Sequence, residues 1–496
     1  MRTIKIKIDG YLAYASIEDL RLIGMSQVSE YRRNIRQKVV TQGEFFKRTG
    51  KTEGVIGLGA VLTLKKHNPF LKFVVENVSN HKYFPLRVDL LEGMEKRWYQ
   101  KNAFDAINLH RGGIVEIPTG GGKTVIEIAT AVAASNNANV LIAAPTSIIV
   151  SQLFDCAKDF NIPVLWYPET RHMQIPKTGN IIIANPVTIN NDRRKATNAN
   201  TRNSISTLIS DEGHHMSSVT WYGLLYALPN LCRSYSFSGT AIEHEHNFIK
   251  FSQIGVDDAL VYASSGPVIY SIKSSDISEY IDCPDIINYE YPWVTPEDKQ
   301  FNLMERDWKR VVKILEKNFN RRRVIADIAR VLDQSGRTTI IPVSKLEIGD
   351  LYLKAIRLPS AVCWFGGDKI YSMTRSYTRE ELYSLLEQRR IRTLIITHHL
   401  DEGLNLKMIN TVFLTEGRKK RRQRQRGGRS ARRDSVKSLV INLYERFQVT
   451  MNSQSIDRLQ SIKSYFNSKV THVKTTTELQ RKLLEYSRSQ DDDEVD

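Results

Sequence analysis

The clearest local pattern in the chain is Ile117-Pro118-Thr119-Gly120-Gly121-Gly122-Lys123-Thr124. It follows a short apolar run that predicts a strand, and the residues from Val125 onward predict a helix. Consecutive glycines let backbone N–H groups curl around phosphate oxygens. The helix N-terminus adds partial positive charge at the same point. The pattern therefore predicts a phosphate-binding loop, residues 117–124, between a strand and a helix.

The phosphate-binding loop also indicates a nucleotide and a metal. Lys123 would neutralise the β- and γ-phosphates of ATP, and the Thr124 hydroxyl would ligate Mg²⁺. ATP and Mg²⁺ are thus the predicted cofactors. The usual form of such a loop begins with glycine, where this chain has Ile117. The other phosphate contacts are expected from Thr119, Gly120, Gly121 and Gly122.

Short apolar segments around the loop form two series of predicted strands. The first series is Gly113–Ile117, Val140–Ala144, Ile181–Ala184, Thr207–Ser210 and Ser234–Ser238. The second series is Thr338–Val343, Ala361–Phe365, Arg392–Thr397, Thr411–Leu414 and Ser438–Asn442. Runs rich in Ile, Val and Leu that alternate with helical stretches are typical of a parallel sheet covered by helices on both faces. We therefore predict an α/β chain with two such domains in tandem.

An acidic pair, Asp211-Glu212, follows one of these predicted strands and is itself followed by Gly213-His214. In a parallel sheet, a carboxylate at this strand end faces the phosphate-binding loop. Asp211 would hold Mg²⁺ through water, and Glu212 would position and activate an attacking water. An ordinary acidic turn is the alternative interpretation.

The most basic part of the chain runs from Arg418 to Arg433, where ten of sixteen residues are Lys or Arg. It contains the spacing Gln-x-x-Gly-Arg-x-x-Arg, with Gln425, Arg429 and Arg432 at its defined positions. On a helix, residues three apart share a face. Two arginines supplied to the γ-phosphate by the second domain would be arginine fingers. A plain charge run that binds nucleic acid or acts as a localisation signal is the alternative.

Composition narrows the class of protein. The 496 residues carry a formal net charge of +17, which favours a polyanionic partner, most often nucleic acid. The chain starts without a signal-peptide pattern, and it has no apolar run long enough to span a membrane. Four widely spaced cysteines argue against a structural metal or a disulfide framework. We therefore expect a cytoplasmic protein with no membrane partner, in the host cytoplasm if phage-encoded.

The predicted domain organisation has four parts. Residues 1–92 are predicted to form a small basic α+β domain that binds DNA. Residues 93–278 and 279–450 are the two parallel-sheet domains, and residues 451–496 are a helical extension with an acidic tail. Within the first part, Ile4, Ile6 and Ile8 alternate with polar residues as in a strand. Ser16–Met25 predicts a short helix, and Gly54–Leu64 predicts β-structure interrupted by glycines.

These motifs, in this order, resemble those of superfamily 2 helicases with two tandem RecA-like P-loop domains. Arg97-Trp98-Tyr99-Gln100 looks like the adenine-recognition motif of that family, with Gln100 at the base edge. Ala144-Pro145-Thr146 is similar to motif Ia, and Ser238-Gly239-Thr240 to motif III. Thr397 through Glu402-Gly403-Leu404-Asn405 resembles motif V, in which the family usually has Asp where this chain has Asn405.

The resemblance implies roles for further residues. Gly403 would contact the nucleotide. Contacts to DNA would come from Pro145, Thr146, Gln152 and Thr397. Coupling between ATP and nucleic acid would involve His214, Ser238, Thr240 and Gln425. Catalysis would rest on Lys123, Glu212, Arg429 and Arg432.

Within the superfamily, the Asp-Glu-x-His form and the small basic N-terminal domain look most similar to phage UvsW-type helicases and their RecG-like relatives. This resemblance implies an ATP-dependent helicase or translocase that remodels forks and Holliday junctions in replication, recombination or repair. Its partner would be forked, branched or single-stranded DNA. A duplex translocase without strand separation, an RNA helicase and a non-enzymatic nucleic-acid-binding protein are the alternatives.

Overall fold

The computed structural model describes residues 3–22, 28–34, 37–43, 47–68, 70–78, 86–87, 97–136, 138–170, 176, 178–192, 199–242, 251–291, 304–365, 369–397, 408–416, 420–428 and 436–491. They form two compact units. The first unit contains residues 1–117 and 122–272, and the second is built on residues 273–496.

The first unit begins with a small mixed sheet. Its elements are β1 (Thr3–Asp9), β2 (Leu12–Ser16), α1 (Ile17–Leu22), β3 (Val28–Asn34), β4 (Gln37–Gly43), β5 (Lys47–Arg48), β6 (Glu53–Gly57), α2 (Leu58–His67) and β7 (Lys72–Asn77). The strand order is β5-β6-β2-β1-β7, and β3 pairs only with β4. Along β1, Ile4, Ile6 and Ile8 are buried and alternate with more exposed residues, which confirms the predicted strand.

A seven-stranded parallel sheet follows in the first unit. Its elements are α3 (Trp98–Leu109), β8 (Gly112–Glu116), α4 (Lys123–Ser135), β9 (Asn139–Ala143), α5 (Ser147–Asp159), β10 (Val164–Trp166), α6 (Tyr167–Thr170), β11 (Ile181–Ala184), α7 (Pro186–Asp192), α8 (Ala199–Ser204), β12 (Ile205–Asp211), α9 (Val219–Tyr222), α10 (Leu224–Ala227), β13 (Arg233–Ser238), α11 (Val256–Ser265) and β14 (Val268–Ser271). The order is β10-β11-β9-β12-β13-β8-β14. All five predicted strands are confirmed, and both edge strands were missed.

The mixed sheet and the parallel sheet share one hydrophobic core, in which α2 packs against α11. Gly57 and Gly59 allow this close approach, since a Cβ atom at Gly57 would lie 2.3 Å from the carbonyl oxygen of Ala263. The Tyr11 hydroxyl donates to the Ser265 carbonyl at 2.5 Å. The prediction of β-structure across Gly54–Leu64 is therefore wrong beyond Gly57: the glycines serve helix packing, and α2 begins at Leu58.

The second unit contains an eight-stranded sheet. Its elements are β15 (Asp285–Glu290), α12 (Trp308–Lys317), α13 (Phe319–Gln334), β16 (Thr339–Val343), α14 (Leu346–Ile356), β17 (Ala361–Trp364), β18 (Ile370–Tyr371), α15 (Arg379–Glu387), β19 (Thr393–Thr397), β20 (Thr411–Leu414), α16 (Lys420–Gly427), β21 (Leu439–Tyr444), α17 (Val449–Phe466), β22 (Val470–Val473) and α18 (Thr476–Asp491). The order is β18-β17-β19-β16-β20-β21-β15-β22, and only the β17–β18 pairing is antiparallel. The five predicted strands are again confirmed.

A fully buried ion pair joins α13 to the end of β21. Arg321 Nε donates to Glu445 Oε1 at 2.5 Å, and both side chains are 0% exposed. The same guanidinium donates to the Thr415 carbonyl at 2.6 Å and to the Tyr352 hydroxyl. Because every partner belongs to a different element, this one side chain holds four segments of the second unit together.

Arg321→Ala is expected to destabilise the second unit by about 3–5 kcal/mol, since it leaves the Glu445 carboxylate buried without its cation. Chemical denaturation followed by circular dichroism measures the loss. Arg310→Ala is the matched control, because Arg310 is 73% exposed and pairs with Glu305 at the surface, where little change is expected. Equal denaturation midpoints for the two variants would show that the buried pair contributes no more than the exposed one.

The four cysteines are free, and burial raises the pKa of every thiol. For Cys156 the pKa rises to about 11. Since the thiolate is the reactive form, we expect the folded protein at pH 8 to react with a disulfide reagent about a hundredfold more slowly than the denatured chain. Absorbance of the released thiol gives both rates, and rapid stoichiometric labelling of the folded protein would contradict this.

Among the described residues, no helix combines the length and the apolar character needed to cross a membrane.

Candidate active site

The phosphate-binding loop connects β8 to α4 at the carboxyl edge of the first parallel sheet. Gly120 and Gly122 have φ angles of +83° and +78°, which side-chain-bearing residues rarely adopt. The Gly121 amide donates to the Pro118 carbonyl at 3.0 Å. Lys123 Nζ donates to the Ile117 carbonyl at 3.4 Å. The loop thus has the left-handed turns that a phosphate cradle needs, with the lysine at the first position of the helix.

Gln100, on α3, supports the end of this loop. Its Nε2 donates to the Gly122 carbonyl at 3.4 Å, and its Oε1 accepts from the Arg97 amide at 3.1 Å. A Cβ atom at Gly122 would lie 2.7 Å from Gln100 Nε2, the end of a flexible side chain that can shift, so the positive φ is the reason for glycine here. The adenine-recognition segment therefore contacts the loop directly, and the role of Gln100 at the base edge stays a prediction.

Asp211 and Glu212 lie where β12 ends, in the middle of the same sheet. Asp211 is the last residue of the strand, and its Oδ1 accepts from the Glu212 amide at 2.8 Å. Glu212 has a φ of +51°, an uncommon conformation for a residue other than glycine. Such local strain is typical of functional positions.

The Glu212 carboxylate connects three of the predicted site residues. Its Oε2 accepts from Ser238 Oγ at 3.2 Å and lies 3.3 Å from His214 Nδ1. Ser238 Oγ in turn accepts from the Thr240 amide at 3.1 Å. The structure therefore brings together Glu212, His214, Ser238 and Thr240, and their role in coupling stays a prediction. We name these four residues the Glu212 network.

Glu127 is a residue of this region that sequence reasoning missed. It lies one helical turn after Lys123 on α4 and is 0% exposed, and its carboxyl group lies beside that of Asp211. Burial, and then the neighbouring Asp211, raise the pKa of Glu127 well above its usual range. Its spacing of four from Lys123 on one helix face could have indicated it.

The carboxyl groups of Asp211 and Glu127 are suited to a site for a bound metal cation. Burial and then Glu212 raise the pKa of Asp211 to about 6, and the buried carboxyl group of Glu127 lies beside it. In the described part of the chain, no three His, Cys, Asp or Glu side chains form a metal site by themselves. A hard divalent ion held by few protein ligands, with waters and phosphate oxygens completing its shell, matches this arrangement.

The predicted nucleic-acid contacts of motif Ia begin where β9 ends. Thr146 caps α5, with its Oγ1 accepting from the Ile149 amide at 3.3 Å. The Pro145 carbonyl accepts from Asn185 Nδ2 at 2.8 Å. Gln152 lies on α5 and is partly exposed. The structure accounts for Thr146 as a helix cap, and its contact with nucleic acid stays a prediction.

The remaining predicted residues belong to the second unit. Thr397 is the last residue of β19 and is buried. Gly403, Arg429 and Arg432 lie outside the described residues, and Gln425 is placed on α16 without a described side chain. The roles of these residues stay predictions.

The basic run is not uniformly a surface feature. Arg426, on α16, is only 3% exposed, and its Nη1 donates to the Glu416 carbonyl at 3.4 Å. Glu416 is itself buried and accepts from the Ser344 amide at 3.1 Å. At this position the run therefore anchors a helix against the ends of two strands. Sequence reasoning considered the charge and the arginine spacing of this run. It did not predict that Arg426 and Glu416 are buried and bound to each other.

Comparison with known families gives one match. Residues 93–242 match the family described as type III restriction enzyme, res subunit. This range includes the phosphate-binding loop and the Glu212 network. A protein of Sulfolobus islandicus filamentous virus (isolate Iceland/Hveragerdi), named as a helicase, is 22% identical over 429 residues, covering 80% of this chain and 72% of the relative.

One solved structure shows a likeness in fold. Dbp5 of S. cerevisiae, bound to RNA and ADP BeF3, has a TM-score of 0.53 at 13% identity, covering 81% of this chain and 96% of its own. T4 UvsW has a TM-score of 0.39 at 16% identity, covering 95% and 100%.

The predicted fold class is confirmed: the chain has two α/β units with parallel sheets flanked by helices, and this fold is similar to that of Dbp5. The prediction of an ATP-driven enzyme of the helicase type is likewise confirmed at the level of class.

Proposed function

We propose that this chain is an ATP-driven DNA helicase that unwinds and remodels branched DNA, including forks and Holliday junctions. The observation that carries the proposal is the Glu212 network, which links the candidate catalytic carboxylate to the motif III residues Ser238 and Thr240. A change in nucleotide state at Glu212 can thereby be transmitted to residues on the neighbouring strand. The net charge of +17 supports a polyanionic substrate.

The ATP site would work by positioning and charge neutralisation. Lys123 would bind the β- and γ-phosphates, and Thr124 and Asp211 would hold Mg²⁺, which neutralises charge that develops on the phosphates. Glu212 would orient a water and take its proton, with its carboxylate oriented by Ser238. Arg429 and Arg432 would come from the second RecA-like unit.

Glu212→Gln is expected to bind ATP almost normally and to hydrolyse it at least about a hundredfold more slowly, because the amide keeps the shape and removes the base. A fluorescent ATP analogue measures binding, and phosphate release measures turnover. Glu169→Gln, on α6, is the control for a carboxylate of the same unit outside the network. Turnover of Glu212→Gln at the wild-type rate would move the catalytic role to another residue.

Each of two alternative functions is supported by a specific observation. The family matched by residues 93–242 includes a restriction-enzyme subunit in its description, which favours a duplex translocase without strand separation. The likeness to Dbp5 bound to RNA favours an RNA helicase. The Asp-Glu-x-His form and the basic N-terminal segment are the reasons for preferring branched DNA.

The test compares unwinding of forks, four-way junctions, simple DNA duplexes and RNA duplexes, with ATP hydrolysis measured in the same reactions. We expect ATP-dependent strand separation to be fastest on the forked and four-way substrates. Faster separation of RNA duplexes would favour the RNA helicase. DNA-stimulated hydrolysis without strand separation on any substrate would favour the duplex translocase.

A further inference from the structure

A groove on the second unit lies between α13 and α14 and has a volume of about 340 Å³. Five of the side chains that line it are basic, and none is acidic. The basic residues are Arg322, Arg323, Arg330, Lys354 and Arg357. None of the nucleotide-site residues described above lines this groove.

One of these cations holds the groove together, and others face solvent. Arg330 pairs with Asp327 at 2.7 Å and donates to the carbonyls of Ala355 and Ile356, which ties the two helices to each other. Arg323, Lys354 and Arg357 are exposed, and within the described residues none of the three forms an ion pair. Exposed positive charge is therefore present on both sides of the groove, from Arg323 on α13 and from Lys354 and Arg357 at the end of α14.

An aromatic ring completes the groove. Phe319 is 66% exposed, although a phenylalanine side chain is normally buried. It is the first residue of α13, and the cap formed by Asn318 Oδ1 on the Arg321 amide at 2.9 Å fixes the start of that helix. The Arg322 guanidinium lies 5.9 Å from the centre of the ring. An exposed aromatic ring in a groove lined by exposed basic side chains is the arrangement with which proteins hold unpaired bases and their phosphates.

We propose that this groove, which we call the α13–α14 groove, binds a single-stranded segment of nucleic acid. The exposed cations would contact successive phosphates, and one base would stack on Phe319. The inference rests on the proposed function in that it requires a nucleic-acid substrate, and it adds a binding surface on the flank of the second unit. A duplex fits less well, because its stacked bases do not offer a free face to Phe319.

The test measures binding of a fluorescent oligothymidylate by anisotropy at several salt concentrations. The variant Arg323→Ala/Lys354→Ala/Arg357→Ala should weaken binding by about tenfold or more and reduce the slope of log K against log salt by about 2, since three phosphate contacts are lost. Phe319→Ala should weaken binding by about tenfold with little change in the salt slope. ATP hydrolysis without nucleic acid should stay unchanged in both.

The control removes the same charge elsewhere on the second unit. Arg389, Arg390 and Lys463 are exposed and lie outside the groove, so Arg389→Ala/Arg390→Ala/Lys463→Ala should lower the salt slope less. If both triple variants bind the oligonucleotide alike, the groove assignment is wrong while the proposed function stands. If the groove variant affects only duplex binding, the assignment is also wrong. If the wild-type protein binds neither DNA nor RNA, both the proposed function and the proposed role of the groove are wrong.

Discussion

Lys123→Ala is expected to abolish ATP hydrolysis while leaving most nucleic-acid binding intact. The lysine is the first residue of α4, and its ammonium group reaches back across the phosphate-binding loop to the Ile117 carbonyl. A phosphate arriving in the loop would receive this charge, and alanine supplies none. Affinity for nucleic acid should come from many dispersed basic groups. Phosphate release and anisotropy on the same preparation measure the two effects.

Lys158→Ala is the matched control for Lys123→Ala, since Lys158 is an exposed lysine in the last turn of α5. Its hydrolysis rate should equal that of the wild type. Circular dichroism shows whether each variant is folded. A folded Lys123→Ala protein with near-normal hydrolysis would remove the basis for the nucleotide site.

Arg429→Ala is expected to lower ATP turnover by about 10³–10⁵ at any concentration of DNA, because an arginine finger stabilises charge that develops in the transition state. DNA affinity should change little. If Arg429 were one phosphate contact among many, affinity would fall modestly, the salt slope would drop by about 1, and excess DNA would restore turnover. Hydrolysis measured across a DNA titration separates these two accounts.

Arg421→Ala is the control within the same run, since Arg421 lies outside the Gln-x-x-Gly-Arg-x-x-Arg spacing. Arg426 does not serve as a control, because it is buried and bound to Glu416. Arg432→Ala should resemble Arg429→Ala. Rescue of both Arg429→Ala and Arg421→Ala by excess DNA would show that the finger role is wrong.

The strands that sequence reasoning found are buried on both faces, although one buried interior strand, β15, was missed. Segments such as Ile181–Ala184 and Thr411–Leu414 are continuous apolar runs, because helices cover both sides of a parallel sheet. The edge strands β10 and β14 are partly exposed, so their composition carries a weaker signal. β22 is likewise an edge strand of four residues, three of them not buried, and it was missed.

The candidate site was predictable where a local pattern defines the chemistry. Lys123 and Asp211-Glu212 belong to contiguous motifs whose residue types follow from phosphate and metal binding. The contact between Glu212 and Ser238 depends on the pairing of β12 with β13, and the anchoring of Arg426 depends on β20 and β16. Such contacts join segments far apart in sequence, so residue type and spacing do not reveal them.

The packing of α2 on α11 determines how the N-terminal segment can take part in any motion of the motor. Among the described residues, close backbone contacts at Gly57 and Gly59 and one continuous core hold the mixed sheet against the first parallel sheet. If ATP binding or hydrolysis displaces the first parallel sheet, the N-terminal segment would move with it as one rigid body. The basic residues of the N-terminal segment would therefore keep a fixed position relative to the first parallel sheet. Removal of the segment would expose the apolar side of α11 to water and make the protein prone to aggregation.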